Sequence, residues 1–126
     1  MKKLLALITT AVLAATAYAG EFPDISITEV KALLGTKKAT IIDANSAATY
    51  KSGHIPGAVA YAPGKLAEAL PKQKDALIIA YCGSPKCTAY SKAAKEAQKL
   101  GYTNIKHLSA GIAGWKEAGE KTEKAN

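Results

Sequence analysis

The feature that most constrains the fold is the apolar run at residues 76–81, which reads Ala-Leu-Ile-Ile-Ala-Tyr. A short run of this kind, without polar alternation, predicts a strand that is buried on both faces of a sheet. Residues 39–44 form a second apolar, β-branched run, and the spacing of alanines in residues 89–100 predicts an amphipathic helix. Because a sheet buried on both faces needs helices on both faces, we expect an α/β domain with a mainly parallel sheet.

Shorter segments continue the alternation of strands and helices. Residues 28–34 are predicted to form a helix, with Ser26 or Thr28 as its N-cap and Gly35 at its end. The polar tail at residues 120–126 is expected to fray. Further strands are predicted at residues 25–27, 58–61 and 104–108, and further helices at residues 46–51, 65–70 and 111–119.

The start of the chain has the three parts of a secretory signal peptide. A positive start precedes an uncharged, mostly apolar run at residues 4–16, and Ala17 and Ala19 put small residues where a signal peptidase reads. The apolar run is shorter than the roughly 20 residues that a membrane span needs. We therefore expect cleavage of residues 1–19, a single domain at residues 20–126, and an exported protein with no membrane anchor after cleavage. The signal resembles that of a Gram-negative periplasmic protein, so the periplasm is the expected compartment.

The charge of the chain indicates which partners suit it. All 17 basic residues are lysines, and the formal net charge is +7 at pH 7. This balance favours anionic small molecules. Nucleic acid is not expected as a partner, because no lysine cluster is interleaved with aromatic side chains. A length of 126 residues excludes a second domain and a dinucleotide-binding fold of normal size, and it leaves the oligomeric state open.

Cys82 directly follows the predicted central strand, and a loop containing Gly, Ser and Pro leads from it into the helix predicted at residues 89–100. In open α/β sheets, ligands bind beyond the carboxyl ends of the strands. Backbone amides at the start of a helix, together with the helix dipole, stabilise an anion there. Because a thiolate is such an anion, Cys82 is predicted to be an activated nucleophile.

Several chemistries of a cysteine nucleophile do not fit the residues present. A cysteine protease needs a histidine base, and the sequence places neither His54 nor His107 beside Cys82. A phosphatase of the Cys-x5-Arg kind needs an arginine, which this chain lacks. Two cysteines and two scattered histidines do not make a zinc site, so no metal is expected. Two sulfur chemistries remain: a persulfide carrier, or a dithiol in which Cys82 and Cys87 cycle through a disulfide.

A set of motifs in chain order resembles the signatures of rhodanese-like domains. The match covers about residues 25–119, and the order of its motifs makes it specific. The motifs are residues 41–45, Tyr50, residues 53–58 with the sequence Gly-His-Ile-Pro-Gly-Ala, the strand at residues 76–81 followed by Cys82, the pair Ala93-Ala94, and residues 101–105 and 111–115.

The resemblance implies a rhodanese fold, in which a five-stranded, mostly parallel sheet is flanked by helices on both faces. It also implies sulfurtransferase activity: a donor such as thiosulfate gives its outer sulfur to Cys82, and a thiol or cyanide takes the sulfur from the persulfide. It implies no cofactor and no metal, and its partners are a small sulfur-containing anion, a thiol or a partner protein. The loop expected to hold the persulfide contains Gly83, Ser84, Lys86, Cys87 and Thr88, and the expected structural positions are Asp43, His54, Gly57 and Trp115.

Three features depart from the family's pattern. Asn45 stands where an arginine often follows the aspartate, so an ion pair built on Asp43 is lost or replaced. Lys86 is the only basic residue of the loop, and lysine lacks the bidentate geometry with which arginine holds an anion such as thiosulfate. The segment between Cys82 and the paired alanines of the following helix is longer than in the common members.

The role of Cys87 stays open among three alternatives. It acts as a resolving thiol that forms a disulfide with Cys82, as a spectator at the start of the helix, or as the sulfur acceptor itself. Two further functions therefore stand beside sulfur transfer. One is thiol–disulfide redox chemistry by the cysteine pair, and the other is a non-catalytic rhodanese-like carrier or binding module, which the absent arginines suggest.

Overall fold

The computed structural model describes residues 22–125. The predicted signal peptide lies outside these residues and stays a prediction. None of the helices within residues 22–125 is long and apolar enough to cross a membrane.

The centre of the structure is a sheet of parallel strands. Strand β1 is Ala39–Asp43, β2 is Val59–Ala60, β3 is Leu77–Tyr81 and β4 is Ile105–His107. All pairings are parallel, and the order across the sheet is β2-β1-β3-β4. The two apolar runs of the sequence therefore form the two inner strands, where both faces are covered.

Helices lie against both faces of the sheet. The helix predicted at residues 65–70 is reduced to a 3-10 turn, because Lys65 gives it no side-chain cap and Pro71 follows closely. Helix α3 and the 3-10 turn pack on one face, whereas α1 and α4 pack on the other. The elements are α1 at Ile27–Leu33, α2 at Ala47–Ser52, the 3-10 turn at Leu66–Glu68, α3 at Tyr90–Lys99 and α4 at Gly111–Glu117.

Alternation along β3 builds the two layers of the core. Ile78 and Ala80 pack on the side of α3, whereas Ile79 and Tyr81 pack on the side of α1 and α4. All four side chains are fully buried. The predicted α/β architecture with a parallel sheet flanked by helices on both faces is therefore confirmed.

The predicted fifth strand, at residues 25–27, is wrong. Within the described residues the sheet has four strands, and only a single bridge joins Asp24 to His107 beyond its β4 edge. The reason is a capping box: the Ser26 hydroxyl accepts a hydrogen bond from the Glu29 N–H at 3.1 Å, and the Glu29 carboxylate accepts one from the Ser26 N–H. The cap starts α1 at Ile27 and ends the extended segment.

The prediction of a frayed tail is also wrong over its described part. His54 and Glu123 exchange two backbone hydrogen bonds of 2.9 Å. The indole N–H of Trp115 donates to the carbonyl of Lys121 at 2.8 Å. Backbone pairing and one buried side chain therefore hold a polar segment whose composition alone predicts no order.

Candidate active site

Cys82 lies at the carboxyl end of β3 and is 1% exposed. Its side chain packs on the side of α3, opposite to that of Tyr81. The carbonyls of Cys82 and Gly83 accept hydrogen bonds from the N–H groups of Ile112 and Ala113, at 2.9 and 3.0 Å. The first turn of α4 therefore holds the backbone at which the active-site loop begins.

Gly111 allows this close approach of α4 to the loop. Its φ is +66°, a left-handed conformation that favours glycine. A Cβ added at this position would lie 2.7 Å from the carbonyl carbon and oxygen of Gly83 and 2.8 Å from the carbonyl oxygen of Cys82. Gly111 belongs to the closing sequence motif, but its contact with the loop could not be read from the sequence.

The loop is closed by a disulfide between Cys82 and Cys87, whose Cα atoms are 6.2 Å apart. The N–H of Cys87 donates to the carbonyl of Ser84 at 3.0 Å, and this turn has Pro85 and Lys86 at its tip. The structure therefore pairs the two cysteines, whereas the sequence had left the role of Cys87 open.

The remaining residues predicted to hold an anion lie within the loop that this disulfide closes or directly after it. Gly83 and Ser84 are partly buried, whereas Lys86 and Thr88 are exposed. Helix α3 begins directly after the loop, and Ala89 at its N-cap offers no side-chain hydrogen bond. The N-terminus of α3, which is the positive end of its dipole, therefore has no side-chain cap, and the exposed Lys86 precedes it by three residues.

Asp43 is fully buried, and a tyrosine hydroxyl pairs with it. The Tyr81 hydroxyl donates to its carboxylate at 2.6 Å, and the Asn45 N–H donates to the other carboxylate oxygen at 2.7 Å. The Tyr81 hydroxyl in turn accepts a hydrogen bond from the Ile55 N–H at 3.0 Å. Burial, followed by the neighbouring Asp43 carboxylate, raises the pKa of Tyr81, so the phenol keeps its proton. The Asp43 carboxylate, which has no arginine beside it in the sequence, is therefore paired with a neutral hydroxyl.

The side chain of Asn45 lies beside the loop. Its amide nitrogen is buried and has no hydrogen-bond partner among the described residues. Its amide oxygen lies 3.5 Å from the position that a Cβ on Gly83 would occupy. The sequence identified Asn45 only as the replacement of an arginine, and no local pattern indicates this contact.

His54 belongs to the turn before β2 and not to the loop. Its ring stacks on Tyr50 with centroids 3.8 Å apart, its Nδ1 lies 2.9 Å from the Tyr50 carbonyl, and its Nε2 lies 3.8 Å from the Glu123 carboxylate. Gly57 has a φ of +80° in the same turn, with open space around it. His54 therefore joins the turn before β2 to Tyr50 of α2 and to the segment around Glu123.

Trp115 and His107 are both buried, in different layers. Trp115 is 1% exposed and packs in the cluster on the side of α1 and α4. The His107 ring stacks on Tyr90, at the start of α3, with centroids 3.3 Å apart. Burial lowers the pKa of His107, and the nearby Asp24 carboxylate opposes this effect. The sequence did not reveal the stack beside the loop.

Comparison with known proteins decides the family. Residues 26–118 match the family described as the rhodanese-like domain. The chain belongs to the rhodanese-like domain family. Within residues 22–125, no group of three or more histidine, cysteine or acidic side chains is arranged to hold a metal ion.

The chain is also similar to individual proteins. The chain is 33% identical over 101 residues to an HTH-type transcriptional regulator of Mycobacterium tuberculosis, and it spans 44% of that protein's length. Its fold is similar to that of the BH2092 protein of Bacillus halodurans, with a TM-score of 0.68 and 27% identity over 82% of this chain and 77% of that one. It is also similar to a thiosulfate sulfurtransferase from Pseudomonas aeruginosa, with a TM-score of 0.69 and 27% identity over 86% of this chain and 20% of that one.

Proposed function

We propose that this rhodanese-like domain is a sulfurtransferase that carries sulfur as a persulfide on Cys82. The observation that carries the proposal is the position of Cys82: it follows β3, and the loop after it leads into the N-terminus of α3. Membership of the family and similarity to a thiosulfate sulfurtransferase support the same chemistry. A thiosulfate-like anion is the proposed donor, and a thiol or cyanide is the proposed acceptor.

The transfer starts from the reduced protein, because a disulfide-bonded cysteine is not a nucleophile. The Cys82 thiolate attacks the outer sulfur of thiosulfate, a new S–S bond forms, and sulfite leaves with the electron pair of the broken bond. An acceptor thiolate or cyanide then attacks the outer sulfur and regenerates the Cys82 thiolate. The dipole of α3 and the Lys86 ammonium stabilise the donor anion and the persulfide anion.

The predicted export of the protein bears on this cycle. In an oxidising compartment such as the periplasm, the Cys82–Cys87 disulfide persists until a thiol reduces it. The proposed enzyme is therefore active only where a reductant reaches it, and export with cleavage of residues 1–19 is part of the proposal.

The proposal is tested by intact-mass analysis of the reduced protein after incubation with thiosulfate. In Cys87→Ser, whose loop has no second thiol, we expect a retained gain of one sulfur atom, about 32 Da, and the release of this sulfur to added cyanide as thiocyanate. Cys82→Ser is expected to abolish both, whereas Cys87→Ser keeps sulfur loading. If Cys82→Ser still takes up sulfur, Cys82 is not the carrier.

Lys86 provides a second, quantitative test. Lys86→Gln removes the cation at the tip of the loop, and we expect the KM for thiosulfate to rise by about 3- to 10-fold, since an exposed charge contributes roughly 1 kcal/mol. Lys99→Gln is the matched control, because Lys99 is also exposed but lies in the last turn of α3, away from the loop. Equal KM values for the two variants would contradict a role for Lys86.

The disulfide itself favours a second candidate function, thiol–disulfide exchange by Cys82 and Cys87. In that case the reduced protein reduces a disulfide substrate at a rate that does not depend on a sulfur donor. Cys87→Ser separates the two functions: it abolishes disulfide reduction to a dithiol product, and it leaves sulfur loading of Cys82 intact.

A further inference from the structure

We propose that Cys87 makes this domain a sulfide-releasing enzyme, in which the sulfur accepted by Cys82 leaves as hydrogen sulfide while the two cysteines form their disulfide. This inference rests on the proposed persulfide of Cys82. It adds a fate for the sulfur that does not require an external acceptor.

The loop supplies the geometry for this step. Cys87 is bonded to the Sγ atom of Cys82, and the turn formed by the Cys87 N–H and the Ser84 carbonyl holds it there. The same Sγ atom is the inner sulfur of a Cys82 persulfide. A thiolate at Cys87 therefore reaches the inner sulfur without any rearrangement of the sheet or of α3, and attack there expels the outer sulfur.

The step balances in atoms and electrons. The Cys87 thiol gives its proton to the outer sulfur, and its thiolate forms a bond to the Cys82 sulfur. The bond from that sulfur to the outer sulfur breaks, and hydrosulfide leaves with the electron pair. The two cysteines together lose two electrons, and the outer sulfur gains them. With thiosulfate as donor, one turnover converts the reduced pair and thiosulfate into the disulfide, sulfite and sulfide.

Burial explains why an internal thiol competes well with external acceptors. Cys82 is 1% exposed, so a dissolved thiol must pass the loop to reach its persulfide. Cys87 lies in the same short loop, five residues after Cys82, and an intramolecular nucleophile acts at a high effective concentration. The internal attack is therefore expected to be faster than transfer to a small external thiol.

The difference in burial between the two cysteines also determines which sulfur a reductant attacks when the disulfide is reduced. Cys87 is only partly buried, and its neighbours Lys86 and Thr88 are exposed. An external dithiol therefore attacks the Cys87 sulfur, forms a mixed disulfide there, and releases Cys82 as the thiolate that the next donor needs. A dithiol, or a protein that carries one, is the class of reductant that the cycle consumes.

The test is a single turnover without oxygen. Protein is reduced, the reductant is removed, and thiosulfate is added; sulfite, sulfide and intact mass are then measured. For the unaltered sequence we expect about one sulfite and one sulfide per protein and a loss of about 2 Da. For Cys87→Ser we expect the same sulfite, a retained gain of about 32 Da, and at least about tenfold less sulfide until a dithiol is added.

The outcomes separate this inference from the proposed sulfur transfer. If the unaltered protein releases sulfite, keeps the added sulfur and forms no sulfide, sulfur transfer stands and internal release is wrong. Internal release is also wrong if Cys87→Ser forms as much sulfide as the unaltered protein. If the unaltered protein releases no sulfite, the donor step fails, and the inference falls with it.

Sulfite release by Cys87→Ser shows that the variant is folded and that its donor site works. Cys87→Ala provides the same comparison without a hydroxyl in the loop. The result for the unaltered protein decides the question even if neither variant folds, because it requires no substitution.

Discussion

Gly111→Ala is the substitution whose effect the structure defines most sharply. The change adds one methyl group at the first residue of α4. The glycine has a φ of +66°, and the new Cβ would stand 2.7 to 2.8 Å from backbone atoms of Gly83 and Cys82. Because backbone atoms at this spot cannot rotate away as a flexible side chain does, α4 or the active-site loop must shift.

The expected free energies separate into two parts. The left-handed conformation costs an alanine about 1–2 kcal/mol, and reduced freedom of the unfolded chain offsets about 0.4–1 kcal/mol of this. Gly119→Ala has the same two contributions, since Gly119 has a φ of +79° with nothing within 4 Å of its added Cβ. The steric contact at Gly111 adds a further cost of about 1–3 kcal/mol, which is typical of overpacking.

The assay is thermal and urea unfolding of the two variants side by side, in reduced and in disulfide-bonded form. For a domain of this size, 1 kcal/mol lowers the Tm by about 4–8 °C, so we expect Gly111→Ala to melt about 4–24 °C below Gly119→Ala. We also expect slower persulfide formation in Gly111→Ala, by up to about 100-fold, because the contact moves the backbone of Cys82.

The reasoning is refuted if Gly111→Ala and Gly119→Ala have equal stability and equal rates of sulfur loading. In that case the close approach of α4 to the loop would carry no energetic or functional weight. If Gly111→Ala is less stable but loads sulfur at an unchanged rate, the steric contact is confirmed and its predicted effect on Cys82 is wrong.

Three further predictions concern buried or hydrogen-bonded side chains. Tyr81→Phe leaves the buried carboxylate of Asp43 without its hydroxyl donor, and urea unfolding should show a loss of about 3 kcal/mol; a loss below about 0.5 kcal/mol would contradict this role. The pKa of Glu96 is lowered, mainly by the hydrogen bond from the Gly64 N–H. The ionised Glu96 carboxylate therefore stabilises the fold at any pH above its ordinary pKa, and this stabilisation is lost as the pH falls through the lowered pKa. Glu96→Gln should therefore cost at most about 1 kcal/mol near neutral pH, and unfolding curves should converge with those of the unaltered protein in acid; parallel curves would be inconsistent with this. Burial lowers the pKa of His107, so the unfolded chain binds the proton more readily and stability falls as the pH drops below about 6.5. His107→Phe keeps an aromatic ring and should weaken this pH dependence in unfolding titrations, whereas an identical slope would show that another group causes it.

Local patterns predicted much of the fold. Apolar runs without alternation indicated the two inner strands, and Ser26 was one of two predicted caps for α1, the one the structure has. The same patterns wrongly predicted a strand at residues 25–27. The capping box at Ser26 begins α1 at Ile27, and this overrides the preference of the apolar residues for an extended conformation. The patterns underestimated order in the tail, whose partners, among them His54, lie far away along the chain.

The candidate site was predictable as a position and not as a set of contacts. The strand, the cysteine and the glycine-containing loop before a helix are adjacent in sequence, so the position of Cys82 follows from them. The spacing of Cys82 and Cys87 allowed a paired, a spectator and an acceptor role, because a short loop can direct a side chain to either side. The structure pairs the two sulfurs.

The sequence by itself determined the α/β class, the two central strands and the place of the cysteine, since each depends on residues close together along the chain. Only the tertiary structure decided which polar groups are hydrogen-bond partners of residues far away along the chain. Tyr81 meets Asp43 across 38 positions of sequence, and the first turn of α4 meets the carbonyls of Cys82 and Gly83. Such contacts depend on how strands and helices pack in space, and no pattern within a few residues encodes that arrangement.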